Sequence, residues 1–501
     1  MNLETLCTAA GISCPPEQKD FSVKGVFTDS RDVKPDSLYI CIPGLRQNGH
    51  DFIGQAAEQG ARWILCQAGE SYPILPGLTY LETKNTRRAA SVIFDAFYGF
   101  PSRRMRFIGV TGTNGKTTVT HLLRSILESA LFRCGLIGTV GCESAGRPLV
   151  NTMRDSTANM TTPDPPELYR MLAEMVKDGV EYVLMEVTSH ALALGKLEPI
   201  RFDAAIFTNL TPDHLDFHKT MEAYAEAKGE LFEKSALCVV NADSPWADYM
   251  ISRSCGRVVT CSQKERKADY HAEGVLPTEL EGATFQLVSN RFRLQLRCGI
   301  PGAFSVMNAM QAAVCARELG LGAAALRDGL ASVAGVKGRM ERLKFGSGAD
   351  VSVILDYAHT PDALEKLLRT AKDLCTDGQH TVLVFGCGGD RDQTKRPLMG
   401  AVAERYADRV IVTSDNSRSE EPEEIIKAIL SGMQRPQTAR VIPDRADAIR
   451  EAILEADPGD LILLAGKGHE EYEITKAGKF PFSERTIAMK AMQERLHGEN
   501  T

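Results

Sequence analysis

The sequence has no long apolar run: nothing in it approaches the roughly 20 uninterrupted residues that a membrane-spanning helix requires. Its start, MNLETLCTAAGISCPPEQKD, is acidic and polar, without the basic patch and apolar core of a secretory signal. Both absences exclude membrane insertion and place the expected site of action in the cytoplasm. Paired cysteines are missing too. The 13 cysteines are odd in number, include no C-x-x-C, and sit in apolar segments, as Cys41, Cys66 and Cys315 do. This excludes a disulfide framework and fits reduced, mostly buried thiols. There is no basic block either, since a formal net charge of −7 is spread along the chain, which argues against nucleic acid as the main partner. Repeats and low-complexity tracts are also lacking.

What is present is enough chain for two to four compact units: 501 residues, 43% hydrophobic and 25% charged. The first stretch alternates short β-type runs (SLYICIP, RWILCQ, TYLET) with one helical pattern, FIGQAAEQ. YGFPSRRMR reads as a linker. After it, apolar strands alternate with amphipathic helices, the signature of a mostly parallel sheet covered by helices. ATFQLVSNRFRLQLR reads as a peripheral hairpin turning at Ser289 and Asn290. A second boundary falls near VKGRMERLKF. The α/β rhythm then restarts with SVILDYAH, HTVLVFGCGG, DRVIVTSDNSR and DLILLAGKGHE. Three α/β domains in series are expected, over residues 1–100, 101–336 and 337–501.

In FIGVTGTNGKTTVTHLL a strand runs into a glycine-rich turn and then a helix with Val119, Leu122, Leu123, Ile126 and Leu127 on one face. Gly112 and Gly115 allow backbone N–H groups to converge on phosphate oxygens at the helix N-terminus. Lys116 would reach the terminal phosphates and Thr117 would ligate Mg²⁺. The general pattern wants a glycine where Val110 stands; the alternative is a turn of purely structural purpose.

Further strands of the central region also end in polar groups. YVLMEV delivers Glu186, a carboxylate able to hold Mg²⁺, and AAIFTNLTPDHLDFH brings Asn209, Asp213, His214 and Asp216. In an open parallel sheet these ends and the phosphate loop face one crevice. On the next helix, MEAYAEAKGELF, Lys228 shares the apolar stripe of Met221, Tyr224, Leu231 and Phe232. Such a lysine either lays its stem along the core and reaches water or is paired or chemically changed. In the last domain three strands end in FGCGGDRD, TSDNSR and AGKGHE, so Arg391, Asp415, Asn416, Ser417, Arg418, Gly466 and Glu470 should converge on one crevice. Two guanidinium groups for carboxylates and acids for an ammonium suit an amino acid charged at both ends. A polar loop capping the next helix is the alternative.

TGTNGKTT, the Glu186 strand, DHLDFH, AYAEAKGELF, GRMER, DYAHTPDALE, FGCGGDRDQTKRP, TSDNSRSEEP and AGKGHE, in that order along essentially the whole chain, resemble the Mur ligases of peptidoglycan synthesis. The resemblance implies an α/β, three-domain architecture: an N-terminal domain binding a UDP-N-acetylmuramoyl substrate, a central P-loop parallel-sheet ATPase domain and a C-terminal Rossmann-like domain. It implies ATP-dependent, ADP-forming amide ligation through an acyl phosphate, adding meso-2,6-diaminopimelate to UDP-N-acetylmuramoyl-L-alanyl-D-glutamate. Nucleotide binding then falls to Gly112, Thr113, Asn114, Gly115, Lys116, Thr117, Thr118, Asn308, Arg339 and Asp356. Two Mg²⁺ ions fall to Thr117, Glu186, His214 and a carbamylated Lys228. Lys116, Lys228, His214 and Arg339 become the catalytic set. The UDP-sugar falls to Ser30, to Leu45, Arg46 and Gln47 in the uracil loop, and to Thr161, Thr162, Thr188 and Lys196. Met160 and Leu194 stand where the family carries asparagine and glutamine.

The family's Asp-Asn-Pro-Arg tetrad marks diaminopimelate-adding members, and Ser417 replaces its proline here. Arg418 would pair the distal carboxylate that lysine lacks. Alternatives are the same ligase using L-lysine or another diamino acid and, from another class, a regulatory nucleotide-binding ATPase. A monomer with small-molecule partners only is expected.

Overall fold

The computed structural model of the protein describes residues 1–44, 47–151, 160–346, 348–376 and 378–498. Three α/β sheets follow one another along the chain. The first is all parallel, in the order Gly25–Phe27, Ser37–Ile40, Ala61–Gln67, Thr79–Thr83. One helical pattern was expected in this region, but three α-helices form: Leu3–Ala10, Ile53–Glu58 and Thr86–Phe97. The first and last start on asparagine side chains, Asn2 accepting from the Thr5 amide and Asn85 from that of Arg88. Ala89, Ala90, Ile93, Phe94 and Ala96 give the last helix its buried face.

The second sheet has eleven strands. Its parallel centre runs Arg257–Ser262, Ser235–Asn241, Phe202–Phe207, Arg106–Thr111, Tyr182–Glu186, Cys134–Gly138. Arg106–Thr111, which feeds the glycine-rich turn, therefore lies between the strands that end in Glu186 and before Asn209. Antiparallel strands finish both edges. The hairpin Ala283–Ser289/Phe292–Cys298 forms as read and buries Phe285, Leu287, Leu294 and Leu296. Its turn is one residue later than expected: Ser289 pairs with Phe292, so Asn290 and Arg291 make the bend.

The third sheet runs Glu341–Arg342, Ser352–Asp356, Leu461–Ala465, Thr381–Phe385, Arg409–Val412, Arg440–Val441, parallel except for the first strand. One apolar cluster joins the N-terminal unit (Leu3, Trp63, Ile93) to one face of the middle sheet (Phe107, Tyr169, Phe202). Another joins the opposite face (Ile108, Leu122, Val306) to the last unit (Ala358, Leu364, Leu383). The crevices between units are thus fixed by shared cores. All 13 cysteines are free thiols, nine of them buried. No helix among the described residues is long and apolar enough to cross a membrane.

Candidate active site

The glycine-rich turn packs so tightly that side chains are excluded. Gly112 has φ 147°, and a Cβ there would come within 1.9 Å of Thr208 Oγ1. Gly115 has φ 89°, and its Cβ would meet Asn308 Oδ1 at 2.7 Å. The Asn114 amide donates to Asn209 Oδ1 at 3.0 Å, which ties the loop to the neighbouring strand end. Lys116, first residue of helix Lys116–Ser129, folds back and donates to the carbonyls of Gly112 and Thr113, both at 2.9 Å.

Lys228 does not reach solvent. It is 1% exposed, its ammonium donates to that same Gly112 carbonyl at 3.0 Å, and it lies 4.5 Å from the Tyr224 ring centroid. Two ammonium groups therefore converge on one carbonyl oxygen. Burial, reinforced by Lys116, pushes the Lys228 pKa well below its ordinary value, and burial lowers that of Lys116 as well. No carboxylate among the described residues lies within ion-pair distance of either.

Glu186 is 1% exposed and accepts from Thr117 Oγ1 (3.0 Å), the Thr139 amide (2.8 Å) and Thr139 Oγ1 (3.0 Å). A carboxylate beside the hydroxyl that follows the P-loop lysine is an oxygen donor set suited to Mg²⁺. Gly138 leaves the room, since a Cβ there would lie 2.3 Å from Glu186 Oε1. His214 sits at φ 54° with its ring centroid 5.0 Å from that of His190 and 6.2 Å from that of Tyr224. Desolvation lowers its pKa although the side chain is 47% exposed, which favours a neutral ring with a lone pair to give.

Asn114, Gly115, Thr118, Asn308, Arg339 and Asp356 line one cleft of about 660 Å³ between the second and third sheets. Arg339 bridges the cleft: its guanidinium donates to Thr117 Oγ1 at 3.1 Å and lies 4.5 Å from the Tyr357 ring centroid. Asp356 accepts from the amides of Met340 (2.7 Å) and Ala358 (2.8 Å), so it also fixes the turn that presents Arg339. Asn114 Nδ2 donates across the cleft to Asp362 Oδ2 at 2.9 Å.

In the last unit the three strand-end loops do meet. Asn416 Nδ2 donates to Glu470 Oε2 at 2.7 Å, and Arg418 Nη1 donates to the Gly389 carbonyl at 2.8 Å. Ser417 is 3% exposed, and Arg418 takes φ 54°. Burial and then Arg391 lower the Arg418 pKa, so two guanidinium groups share one field. Burial works against the charge of Asp415, yet Lys467 and Arg445 hold its carboxyl below the ordinary range. Gly466 has φ 116°, and a Cβ there would lie 2.6 Å from Asp415 Oδ2.

At the opposite end, Ser30 Oγ donates to Gln55 Oε1 at 2.7 Å and lines a groove with Thr28, Ile42 and Gln47. Thr28 and Ile42 also line a second groove, with Arg87, Asp164, Leu194 and Lys196, so the two are continuous. Leu45 and Arg46 lie outside the described residues. Lys196 pairs with Asp164 at 2.8 Å. Thr162 Oγ1 donates to the Glu186 carbonyl at 2.9 Å, and Thr161 Oγ1 lies 3.0 Å from Thr139 Oγ1, while Thr188 Oγ1 accepts from the Ala191 amide at 3.2 Å. These threonines thus stand beside the Glu186 strand end. Sequence reasoning missed Thr139 and Lys467; the only signal for either was its place just past a buried strand.

Family models match three successive segments: the Mur ligase family catalytic domain over residues 22–96, the Mur ligase middle domain over 110–316, and the Mur ligase glutamate ligase domain over 338–468. The chain is 40% identical over 486 residues to the UDP-N-acetylmuramoyl-L-alanyl-D-glutamate–2,6-diaminopimelate ligase of Syntrophomonas wolfei, covering 95% of this chain and 96% of that protein. It is 41% identical over 479 residues to the ligase of the same name from Geobacillus thermodenitrificans, covering 93% and 94%. A solved structure of a ligase of that name superposes with TM-score 0.67 at 30% identity, over 99% of this chain and 100% of that one. The MurF ligase of Thermotoga maritima, solved in complex with ADP, shares the fold at TM-score 0.63 and 16% identity over 95% and 98%.

Proposed function

This chain belongs to the Mur ligase family, and from that premise we propose how its clefts divide the work of one reaction. The protein is an ATP-dependent, ADP-forming peptide ligase of peptidoglycan precursor synthesis. It joins meso-2,6-diaminopimelate to the D-glutamyl carboxyl of UDP-N-acetylmuramoyl-L-alanyl-D-glutamate. The observation that carries the reading is the convergence of Lys116, Lys228, Glu186 and Arg339 on the P-loop, with Thr161 and Thr162 beside the Glu186 strand end on one side and the 415–418 pocket in the last unit.

The UDP end lies in the groove at Ser30 and Gln47, and the acceptor peptide follows the continuous groove past Lys196 to Thr161, Thr162 and Thr188. ATP lies in the cleft lined by Asn308 and Asp356, its phosphates on the amides of residues 115–118 at the start of the helix. The acceptor carboxylate attacks the γ-phosphorus; the bond to the β,γ-bridging oxygen breaks, and ADP leaves with the electron pair. The amine then attacks the acyl carbon, loses a proton, and expels phosphate. Negative charge gathers on phosphoryl and carbonyl oxygens in both steps. Lys116 and Arg339 face it from opposite sides as fixed cations that need no reorganisation.

Thr117, Glu186 and His214 offer the oxygen and nitrogen donors that would hold Mg²⁺, and Lys228 as a carbamate would hold a second ion. Bound there, magnesium supplies charge neutralisation to the phosphoryl oxygens. Carbamylation needs a neutral amine as nucleophile, and the burial that lowers the Lys228 pKa supplies one. Attack of that amine on carbon dioxide, with loss of a proton, would give a carbamate anion beside the Lys116 ammonium, which shares the Gly112 carbonyl.

Arg418 and Arg391 suit the distal carboxylate of diaminopimelate, and Asp415 and Glu470 its ammonium. The deciding measurement compares ADP release with meso-diaminopimelate, L-lysine and L-ornithine at saturating UDP-dipeptide and ATP. Turnover is expected with meso-diaminopimelate and weak with the other two. ATP hydrolysis independent of amino acid would favour the regulatory ATPase and defeat the reading.

A further inference from the structure

Beneath the 415–418 pocket runs a row of buried charges, two of which, Arg445 and Glu484, lie outside every sequence motif. We propose that Arg445 is a positioning residue that sets the spacing of the 414–418 and 466–470 loops and thereby the selectivity for the amino acid. The inference rests on the reading of that pocket as the amino-acid site.

Arg445 opens helix Arg445–Leu454, whose N-cap Asp444 accepts from the amides of Ala446 (2.8 Å) and Asp447 (3.0 Å). Its side chain turns inward and is 0% exposed. The fork is used in three directions. Nε donates to Glu484 Oε1 at 2.8 Å, Nη1 to the Ser414 carbonyl at 2.9 Å and Nη2 to the Ala465 carbonyl at 2.7 Å. Each of those carbonyls immediately precedes the first pocket residue of its loop, Asp415 and Gly466. The two strands concerned are not neighbours, because Thr381–Phe385 lies between them. One planar group therefore fixes the distance between two loops across an intervening strand end.

Charge alternates along this row. Glu484 balances Arg445, Arg445 and Lys467 both hold Asp415 ionised, and Lys467 Nζ donates to Asn416 Oδ1 and to the Tyr472 carbonyl, both at 3.0 Å. Lys467 thereby fixes the Asn416 amide, leaving Nδ2 for Glu470. A buried ion pair gains little over apolar packing, so stability alone is a poor reason for an arginine here. What only the fork provides is two carbonyls held at once by one rigid plane; a lysine has no such geometry.

The test measures kcat/KM for meso-diaminopimelate and for L-lysine in wild type, Arg445→Lys, Glu484→Gln and Arg418→Ala, with UDP-dipeptide and ATP saturating. The ratio of the two values cancels any loss of correctly folded enzyme, so a merely structural role cannot move it. In Arg445→Lys the ratio is expected to fall about tenfold or more while KM for ATP stays within about twofold. Glu484→Gln, which keeps an acceptor for Nε but drops its charge, should lower the ratio in the same direction by less. An unchanged ratio in both variants overturns the proposal, however low their activity. If Arg418→Ala lowers the ratio while those two do not, the pocket reading stands and only the role of Arg445 fails. A wild type without preference for meso-diaminopimelate defeats the pocket reading itself.

Discussion

The buried Lys228 nitrogen shares the Gly112 oxygen with the half-buried Lys116, and it is tolerable there only as a neutral amine or as part of an anion. That is the physical content of Lys228. Sequence spacing could place it on an apolar stripe but left open whether the stem merely lay along the core. Its 1% exposure closes off the path to solvent. Lys228→Ala should therefore cost at least about 100-fold in kcat, read as ADP release at saturating substrates. Added acetate or formate should restore part of the rate by occupying the vacated anion position. Wild-type turnover in this variant would remove the second-metal role. The other motif residues were legible one by one because their chemistry is local. Lys467 and Arg445 were not, since their partners lie 51 and 39 residues away and no fixed spacing announces them.

Strand ends are the working parts at the scale of elements. Apolar runs gave four parallel strands and the hairpin of the central sheet and four of the six strands of the last, because parallel strands buried on both faces read as unbroken apolar runs. Cys134–Gly138 and Arg257–Ser262 went unread. Two helices of the first unit escaped. Leu3–Ala10 has only eight residues, and Thr86–Phe97 escaped although Ala89, Ala90, Ile93 and Phe94 give it an apolar face. The hairpin turn slipped by one residue because Ser289 suits a strand end as well as a bend.

Equally hidden was the reason for Gly138 at the end of Cys134–Gly138, which has an ordinary φ and is glycine only for lack of room beside Glu186. Gly138→Ala must push the carboxylate away from Thr117 and Thr139. The expected result is a loss of about 1–3 kcal/mol in stability, together with a several-fold rise in the Mg²⁺ concentration needed for half-maximal rate, read by titrating activity with the metal. Unchanged metal dependence would detach Glu186 from the metal.

Docking of the units was the least legible level. Asn114 meets Asp362 across 248 residues, and shared apolar clusters rather than linkers hold the three units in register. Packing on that scale traps histidines away from water. Burial, the largest influence on each, lowers the pKa of His121, His218 and His359 from 6.5 to about 4, with Arg124, His190 and Lys395 respectively as the next positive neighbours. The native form of each is neutral. As pH falls below 6.5 the unfolded chain takes up these protons first, so between about 6.5 and 4 the unfolded state binds more protons and stability must rise with pH. Asp356 and Glu470, whose burial raises their pKa, contribute with the opposite sign.

With three histidines acting in one direction, the thermal midpoint is expected to drop from pH 7 to pH 5, against the opposing contribution of those carboxyls. His218→Gln can still pair with Ser189 Oγ, which lies 2.8 Å from His218 Nε2, and it should flatten the slope because one proton-binding group is gone from the unfolded state. A midpoint that rises on acidification over this interval, or a slope that His218→Gln leaves unchanged, would mean that these rings are solvated and that the units do not pack as described.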